Sequence, residues 1–401
     1  MRVPLLDLKP QYQSLKKELD EAVAKVIESQ YFILGPEVAE MECEIAGYVK
    51  AKYALGVSSG TDALLIALMA IDIQPDDEVI IPTYSFFATA GVVARLNAIP
   101  VFADIDPVTF NIDPQEIEKK ITDKTKAIIP VHLYGQSCEM DEIMEIAKKH
   151  NVKVIEDAAQ AIGTQYKDGK HVGAIGDVGC FSFFPSKNLG CFGDGGVVTT
   201  NNEELFNKMK MLRMHGMEPK YYHKIIGGNF RLDALQAAVV RVKLPHLDGW
   251  SEQRRKNAEL YNKLFIEAGL AEETGRIEFD ANNKVLIPKA LHKPVTTIDA
   301  KQMSTNDLVN YHIYNQYIIR TEKRDELKQY LADNEVMTDI YYPVAFHNQE
   351  CFQDPKIKSR NSSYPNADFA CSHSLALPIY SDLSTEQIEW VIQITKDFFT
   401  K

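Results

Sequence analysis

Lys187 stands alone in "FSFFPSKNLGCFGDGG", residues 181–196, among Phe181, Phe183, Phe184 and Phe192. An ammonium held among apolar side chains loses solvation, so its pKa falls, and the neutral amine is a nucleophile toward an aldehyde. The plain alternative is a lysine whose stem crosses apolar surface to reach water. Upstream, the apolar run of "VIEDAAQAIG" ends in Glu156 and Asp157. Asp157 is either a carboxylate facing a crevice at a strand end or the cap of the turn that follows. A third stretch, "VSSGTDALLIAL" at 57–68, puts Ser58, Ser59, Gly60 and Thr61 at the start of an apolar-periodic helix. Free backbone N–H groups there suit an anion, although Ser or Thr also serves as a simple cap. The stretch is neither a P-loop nor a G-x-G-x-x-G, so it carries no nucleoside-triphosphate or dinucleotide signature.

Taken together, the three stretches fit one cofactor. Pyridoxal phosphate needs a lysine for its aldehyde, an anion for its pyridine nitrogen and donors for its phosphate. Lys187, Asp157 and Ser59-Gly60-Thr61 supply one each.

The elements that must position these groups follow from hydrophobic pattern. "YALGVSS", "DEVIIP", "IPVFADI", "KAIIPVH", "VKVIEDA", "DVGCFSFF" and "GGVVTT" read as strands. Helical patterns start at 61, 85, 113 and 139, between the earlier strands. This alternation predicts an α/β fold with a mostly parallel central sheet. "CFSFF" and "GGVVTT" have no helix between them, which predicts a local reversal of direction. From about residue 231 a long helical stretch runs on, interrupted at Pro245. "KVLIP", "YHIYNQYIIR" and "MTDIYYP" then suggest strands, and "RDELKQYLADN" and "STEQIEWVIQITKDFF" helices. With 401 residues the chain suits two domains. The expected division is a large cofactor-binding α/β domain at 1–245 and a smaller α+β domain at 246–401.

The net charge of −12, without a basic block, argues against nucleic acid and anionic membrane surfaces as partners. No apolar run reaches membrane-spanning length and the first residues lack a signal-peptide pattern, so a cytoplasmic protein is expected. The six cysteines form no C-x-x-C pair, which predicts reduced structural thiols and no metal site.

The motifs "FILGPEV", "SSGTDAL", "VIEDAAQ", "SFFPSKNLGCFGDGG" and "GGNFRLDALQAA", in this order and spacing, resemble the DegT-type (DegT/StrS) nucleotide-sugar aminotransferases. The resemblance runs over nearly the whole chain and implies a fold-type I pyridoxal-phosphate enzyme. By that resemblance Lys187 bonds the cofactor aldehyde, Asp157 pairs with the pyridine nitrogen and Gln160 lies beside the ring hydroxyl. Ser182, Ser59, Gly60 and Thr61 match phosphate ligands, and Phe86 an aromatic stacked on the ring. Asn229 matches a residue reaching the phosphate from a neighbouring subunit, which implies a homodimer with shared sites. The implied reaction moves an amino group, by family habit from glutamate, to a nucleotide-linked ketosugar. Asp62 resembles members acting on 3-keto sugars; a 4-ketosugar or a 3-keto-uronic acid is the alternative, as is a non-catalytic regulatory protein that binds the cofactor. His132, Tyr222, His223 and His347 are candidates for the sugar pocket, each with an equal reading as a satisfied structural group. Arg231 either binds substrate or ties the linker helix to the large domain. The chain departs from the family at 280–311, where it is longer, so no nucleotide preference is transferred.

Overall fold

The computed structural model describes residues 1–292, 310–358 and 363–400. All seven apolar runs expected in the first half become strands of one sheet. They are β1 (Tyr53–Val57), β2 (Glu78–Pro82), β3 (Ile99–Ala103), β4 (Thr125–Ile128), β5 (Lys153–Asp157), β6 (Val178–Ser182) and β7 (Gly196–Thr200), in the order β1-β7-β6-β5-β4-β2-β3. The β2–β3, β2–β4, β4–β5 and β5–β6 pairs are parallel. β7 runs antiparallel to both β6 and β1, the reversal expected where no helix intervenes. Continuous runs such as "EVIIP" suit strands with both faces covered, and every residue of β2 and β7 is buried.

Register decides where the site forms. Gly196, the first residue of β7, lies opposite Ser182 at the end of β6 and opposite Val57 at the end of β1. Asp157, the last residue of β5, lies opposite Cys180. The carboxyl ends of β1, β5 and β6 therefore meet at one edge of the sheet, where a crevice is expected. The helix Gly60–Ala70 leaves β1 at that edge. It is apolar on all sides because it is enclosed, packing on β6 and β7 and against helices Ala88–Arg95 and Glu203–Leu212.

The interruption at Pro245 is a 3-10 turn, Leu244–His246, between helices Ala234–Lys243 and Leu247–Glu267. Proline supplies no N–H to continue a ladder, and the chain redirects there. Beyond it a second core gathers Tyr261, Phe265, Tyr317, Leu327, Leu377 and Val391. Its small sheet pairs β8 (Tyr317–Arg320) with β9 (Ser374–Leu377), antiparallel. "KVLIP" and "MTDIYYP" are not strands: each contributes single bridges, Leu286 to Arg320 and Asp339 to Ala376, at the flanks of β8 and β9. The two cores exchange chain. Val3 belongs to the second, while Phe346, Phe352, Tyr364 and Ala367 pack in the core beneath the large sheet. Of the longer segment at 280–311, residues 293–309 lie outside those described. No helix among the described residues is long and apolar enough to cross a membrane.

Candidate active site

The loop after β6 presents Lys187 from a braced turn. Lys187 N–H donates to Phe184 O at 2.8 Å and Cys191 N–H to Phe183 O at 2.8 Å, closing the loop on itself. Three anchors come from outside. The buried amide of Asn188 donates to Ile313 O at 3.0 Å and accepts from Asn315 Nδ2 at 2.8 Å. Lys243 Nζ, also buried, donates to Gly190 O at 2.6 Å, and Phe192 N–H donates to Gln236 Oε1 at 2.8 Å. Lys187 keeps partial access to solvent, yet burial pulls its ammonium down to about 8, against an opposing pull from Asp157. Phe181 and Phe183 are buried, whereas Phe184 and Phe192 are half-exposed, so only part of the surrounding apolar run is dry.

Asp157 is buried at the end of β5. Its Oδ2 accepts from Thr89 Oγ1 at 2.7 Å and its Oδ1 from Ala159 N–H at 3.2 Å. Oδ1 thus caps the turn that follows, as one reading of the sequence expects, and Oδ2 is held from the helix Ala88–Arg95. Burial raises this carboxyl; the Thr89 and Ala159 donors and the charge of Lys187 oppose the rise. Gln160 accepts from Tyr134 N–H at 2.7 Å and donates to the Tyr342 hydroxyl at 3.1 Å. Phe86 is 57% exposed, its ring 6.3 Å from that of Tyr342. An aromatic left this open is free to cover a flat ligand.

Ser59 is the N-cap of the helix Gly60–Ala70: its Oγ accepts from Asp62 N–H at 3.0 Å. The same hydroxyl and that of Ser58 also hold Asp62 Oδ2, at 3.0 and 2.7 Å. The Ser59 hydroxyl is thus used in capping, and the N–H groups of Gly60 and Thr61 are the helix-start donors that an anion here would meet. A β-carbon on Gly60 would stand 2.7 Å from Ser182 Cβ and 3.2 Å from its Oγ. Ser182 Oγ accepts from Phe184 N–H at 3.2 Å, which leaves its proton to donate. Helix-start N–H groups packed directly against a serine hydroxyl fit a phosphate, and Lys187 and Asp157 fit the rest of pyridoxal phosphate.

Beside this cradle a cleft of about 540 Å³ is lined by Ser58, Ser59, Asp62, Asp194, Asn229 and Arg231. Arg231 and Asn229 thus line one cleft with Ser58 and Ser59 of the same chain. The histidines fall elsewhere. His132 has no exposed surface: Cys138 N–H donates to its Nδ1 at 3.1 Å, so Nε2 carries the proton and donates to Glu156 Oε2 at 2.9 Å. Glu156 also takes the N–H groups of Gly173, Ile175 and Gly176 at 2.7–2.8 Å. His347 is held between Thr83 Oγ1 at 2.8 Å and Asp368 Oδ1 at 3.0 Å, against the ring of Tyr364. Both rings therefore have structural partners within the fold, His132 fully buried and His347 partly so. Tyr222 and His223 lie on an exposed loop with Tyr221 and Ile226. A larger open cleft, about 660 Å³ and lined by Lys50, Asp141, Lys170 and His171, shares none of the residues expected in the site. Thr89, Tyr342, Asn188 and Lys243 were not anticipated from sequence. For Thr89 there was one signal, a hydroxyl three residues after Phe86 on a helical pattern.

Comparison with known proteins places this arrangement. Over 100% of the chain and 99% of its own length, a pleiotropic regulatory protein of Geobacillus stearothermophilus is 45% identical. The UDP-N-acetyl-3-dehydro-alpha-D-glucosamine 3-aminotransferase of Acidithiobacillus ferrooxidans is 37% identical over 98% of the chain and 97% of its own. The crystal structure of DesV from S. venezuelae superposes with a TM-score of 0.85 at 37% identity, over 100% of this chain and 99% of that one. The model of the DegT/DnrJ/EryC1/StrS aminotransferase family matches residues 13–396. A match of that extent, on a fold that brings the lysine, the acid and the anion cradle to one edge of the sheet, shows that the chain belongs to this family of pyridoxal-phosphate-dependent nucleotide-sugar aminotransferases.

Proposed function

We propose that the protein transfers an amino group from glutamate to the 3-keto carbon of a nucleotide-linked sugar. The observation that carries the reading is Lys187: a braced amine brought down to about 8 by burial, at the same sheet edge as Asp157 and the Gly60–Ser182 cradle. Asp62, pinned by Ser58 and Ser59 on the cleft wall, supports carbon 3 by its resemblance to 3-keto enzymes, as does the name of the Acidithiobacillus relative.

Pyridoxal phosphate, when bound, supplies the electron sink for breaking the bond at the donor's α-carbon. Gly60, Thr61 and Ser182 would hold its phosphate, and Phe86 would cover the ring. Gln160, its amide already oriented by Tyr134 and Tyr342, would meet the ring hydroxyl. Asp157 would keep the pyridine nitrogen protonated. Lys187 is the amine that would hold the cofactor's aldehyde; when free, it would take the proton from the donor α-carbon as base and return it as acid. The ketosugar enters after the oxo acid leaves, and Lys187 moves the proton in reverse, giving ping-pong kinetics.

The working unit is a homodimer. The loop bearing Tyr221, Tyr222 and Ile226, which are 76%, 70% and 89% exposed, offers apolar surface to a second copy, with Asn229 and Arg231 close in sequence. The Geobacillus relative's name favours a regulatory second reading; the complete set of Lys187, Asp157 and Gln160 favours catalysis. Adding glutamate to the cofactor-loaded protein should move the cofactor absorbance band, and an unmoved band would leave the regulatory reading. Mass spectrometry of products from a panel of nucleotide-linked 3- and 4-ketosugars then decides the carbon; amination of 4-ketosugars alone refutes carbon 3.

A further inference from the structure

Thr89 lies in the helix Ala88–Arg95, three residues past Phe86, and its side chain is fully buried. Its hydroxyl donates to Asp157 Oδ2 at 2.7 Å. Ser85 Oγ, also buried, is 3.3 Å from Thr89 Oγ1. A hydroxyl has one proton, and that of Thr89 is committed to the carboxylate, so Ser85 is the donor in the second pair. The direction of the relay is therefore fixed: Ser85 to Thr89 to Asp157. Among the described residues the other donor to this carboxylate is Ala159 N–H, on Oδ1.

We propose that Thr89, backed by Ser85, is a positioning residue that keeps the Asp157 carboxylate ionised and fixes its plane. Burial alone favours the neutral acid, which cannot hold a proton on a pyridine nitrogen; a donor to the charged form opposes this. The groups facing Asp157 are Lys187, His132, Tyr342, Cys180 and Cys138. Burial raises the two thiols and the phenol, so they stay uncharged near neutrality, and His132 is held as the Nε2–H tautomer. The charge of Lys187 comes and goes with its proton. Thr89 does not titrate, so its support persists across pH and through the reaction. One short stretch, Ser85 to Thr89, thus delivers the ring cover and the orienter of the acid beneath it.

The inference rests on the reading that Asp157 pairs with the pyridine nitrogen, and two measurements separate them. In cofactor-free protein the Asp157 carboxyl is titrated by difference infrared spectroscopy against Asp157→Asn. A hydrogen bond to a charged group corresponds to a midpoint rise of about one to two pH units in Thr89→Val. Thr89→Ser, which keeps the hydroxyl, should stay within about half a unit of the parent. An unmoved midpoint in folded Thr89→Val overturns the proposal. Should that variant not fold, Ser85→Ala decides: a rise of about half a unit supports the relay and no rise refutes it. In the loaded enzyme with glutamate, the acidic limb of the pH profile should move up with the carboxyl. If the parent never converts its cofactor, the functional reading fails while the carboxyl titration still judges Thr89.

Discussion

A β-carbon added to Gly60 would come within 2.7 Å of Ser182 Cβ, so the start of one helix and the end of β6 touch through the absence of a side chain. Alanine fits a helix start well, but here it must displace Ser182 or the helix. Gly60→Ala is expected to weaken pyridoxal-phosphate binding roughly ten- to hundredfold, from an overpacking cost of a few kcal/mol, while the fold survives. Fluorescence titration with the cofactor checks this; an unchanged Kd would move the phosphate elsewhere.

Lys187→Ala removes both the covalent anchor and the proton carrier. Amino transfer should fall by at least about a thousandfold, and borohydride should no longer fix cofactor to the chain. Near-normal transamination by this variant would sink the catalytic assignment.

The lowered pKa of Lys187 sets a pH dependence with a definite sign. Below about 8 the amine is protonated and cannot attack a carbonyl; above it the neutral form dominates. At pH 7 a lysine titrating at about 8 has roughly 300-fold more neutral amine than one at 10.5. Uptake of pyridoxal phosphate by cofactor-free protein should therefore accelerate with pH, reach half its maximum near 8 and level off about one unit above. A rate still climbing toward 10.5 in stopped-flow absorbance would show an unperturbed lysine.

His132 should behave as a support. His132→Ala takes one of four donors from Glu156, removes the acceptor of Cys138 N–H and opens a cavity, at an expected cost of about 2–4 kcal/mol measured by urea unfolding. The KM for the sugar should stay within about twofold, whereas a sugar-binding histidine would raise it by tenfold or more.

Shared sites predict complementation. Mixed dimers of Lys187→Ala with Asn229→Ala, each nearly inactive alone, carry one intact site if Asn229 serves its neighbour. Activity should then return to about a quarter of the parent level after subunit exchange. No recovery, in chains shown to have exchanged, would assign Asn229 to its own chain, where it lines the cleft beside Ser58 and Ser59.

The positions of Lys187 and Asp157 beyond and at strand ends were legible because their signals are local: an ammonium in an apolar run, an acid ending a strand. The seven strands of the large sheet were legible for the same reason. The structural partners of His132 and His347, namely Glu156, Thr83 and Asp368, could not be read from sequence because the fold brings them together. Thr89 and Tyr342 were hidden in the same way, since each meets its partner across 68 and 182 residues of chain. β9 escaped notice because "SLAL" is four residues long and shows no alternation. "KVLIP" was overread: its apolar residues are buried, but only Leu286 and Ile287 find strand-like partners.

Val3 and the residues that clasp it have a consequence for synthesis. Val3 donates to Glu335 O at 2.9 Å and accepts from Met337 N–H at 2.9 Å, and its side chain is wholly enclosed. Those partners leave the ribosome more than three hundred residues later, roughly a quarter of a minute to a minute at ordinary translation rates. Through that interval the large sheet can assemble while Val3 waits without its seat. The second core can close over Val3 only once residues 335–337 have emerged.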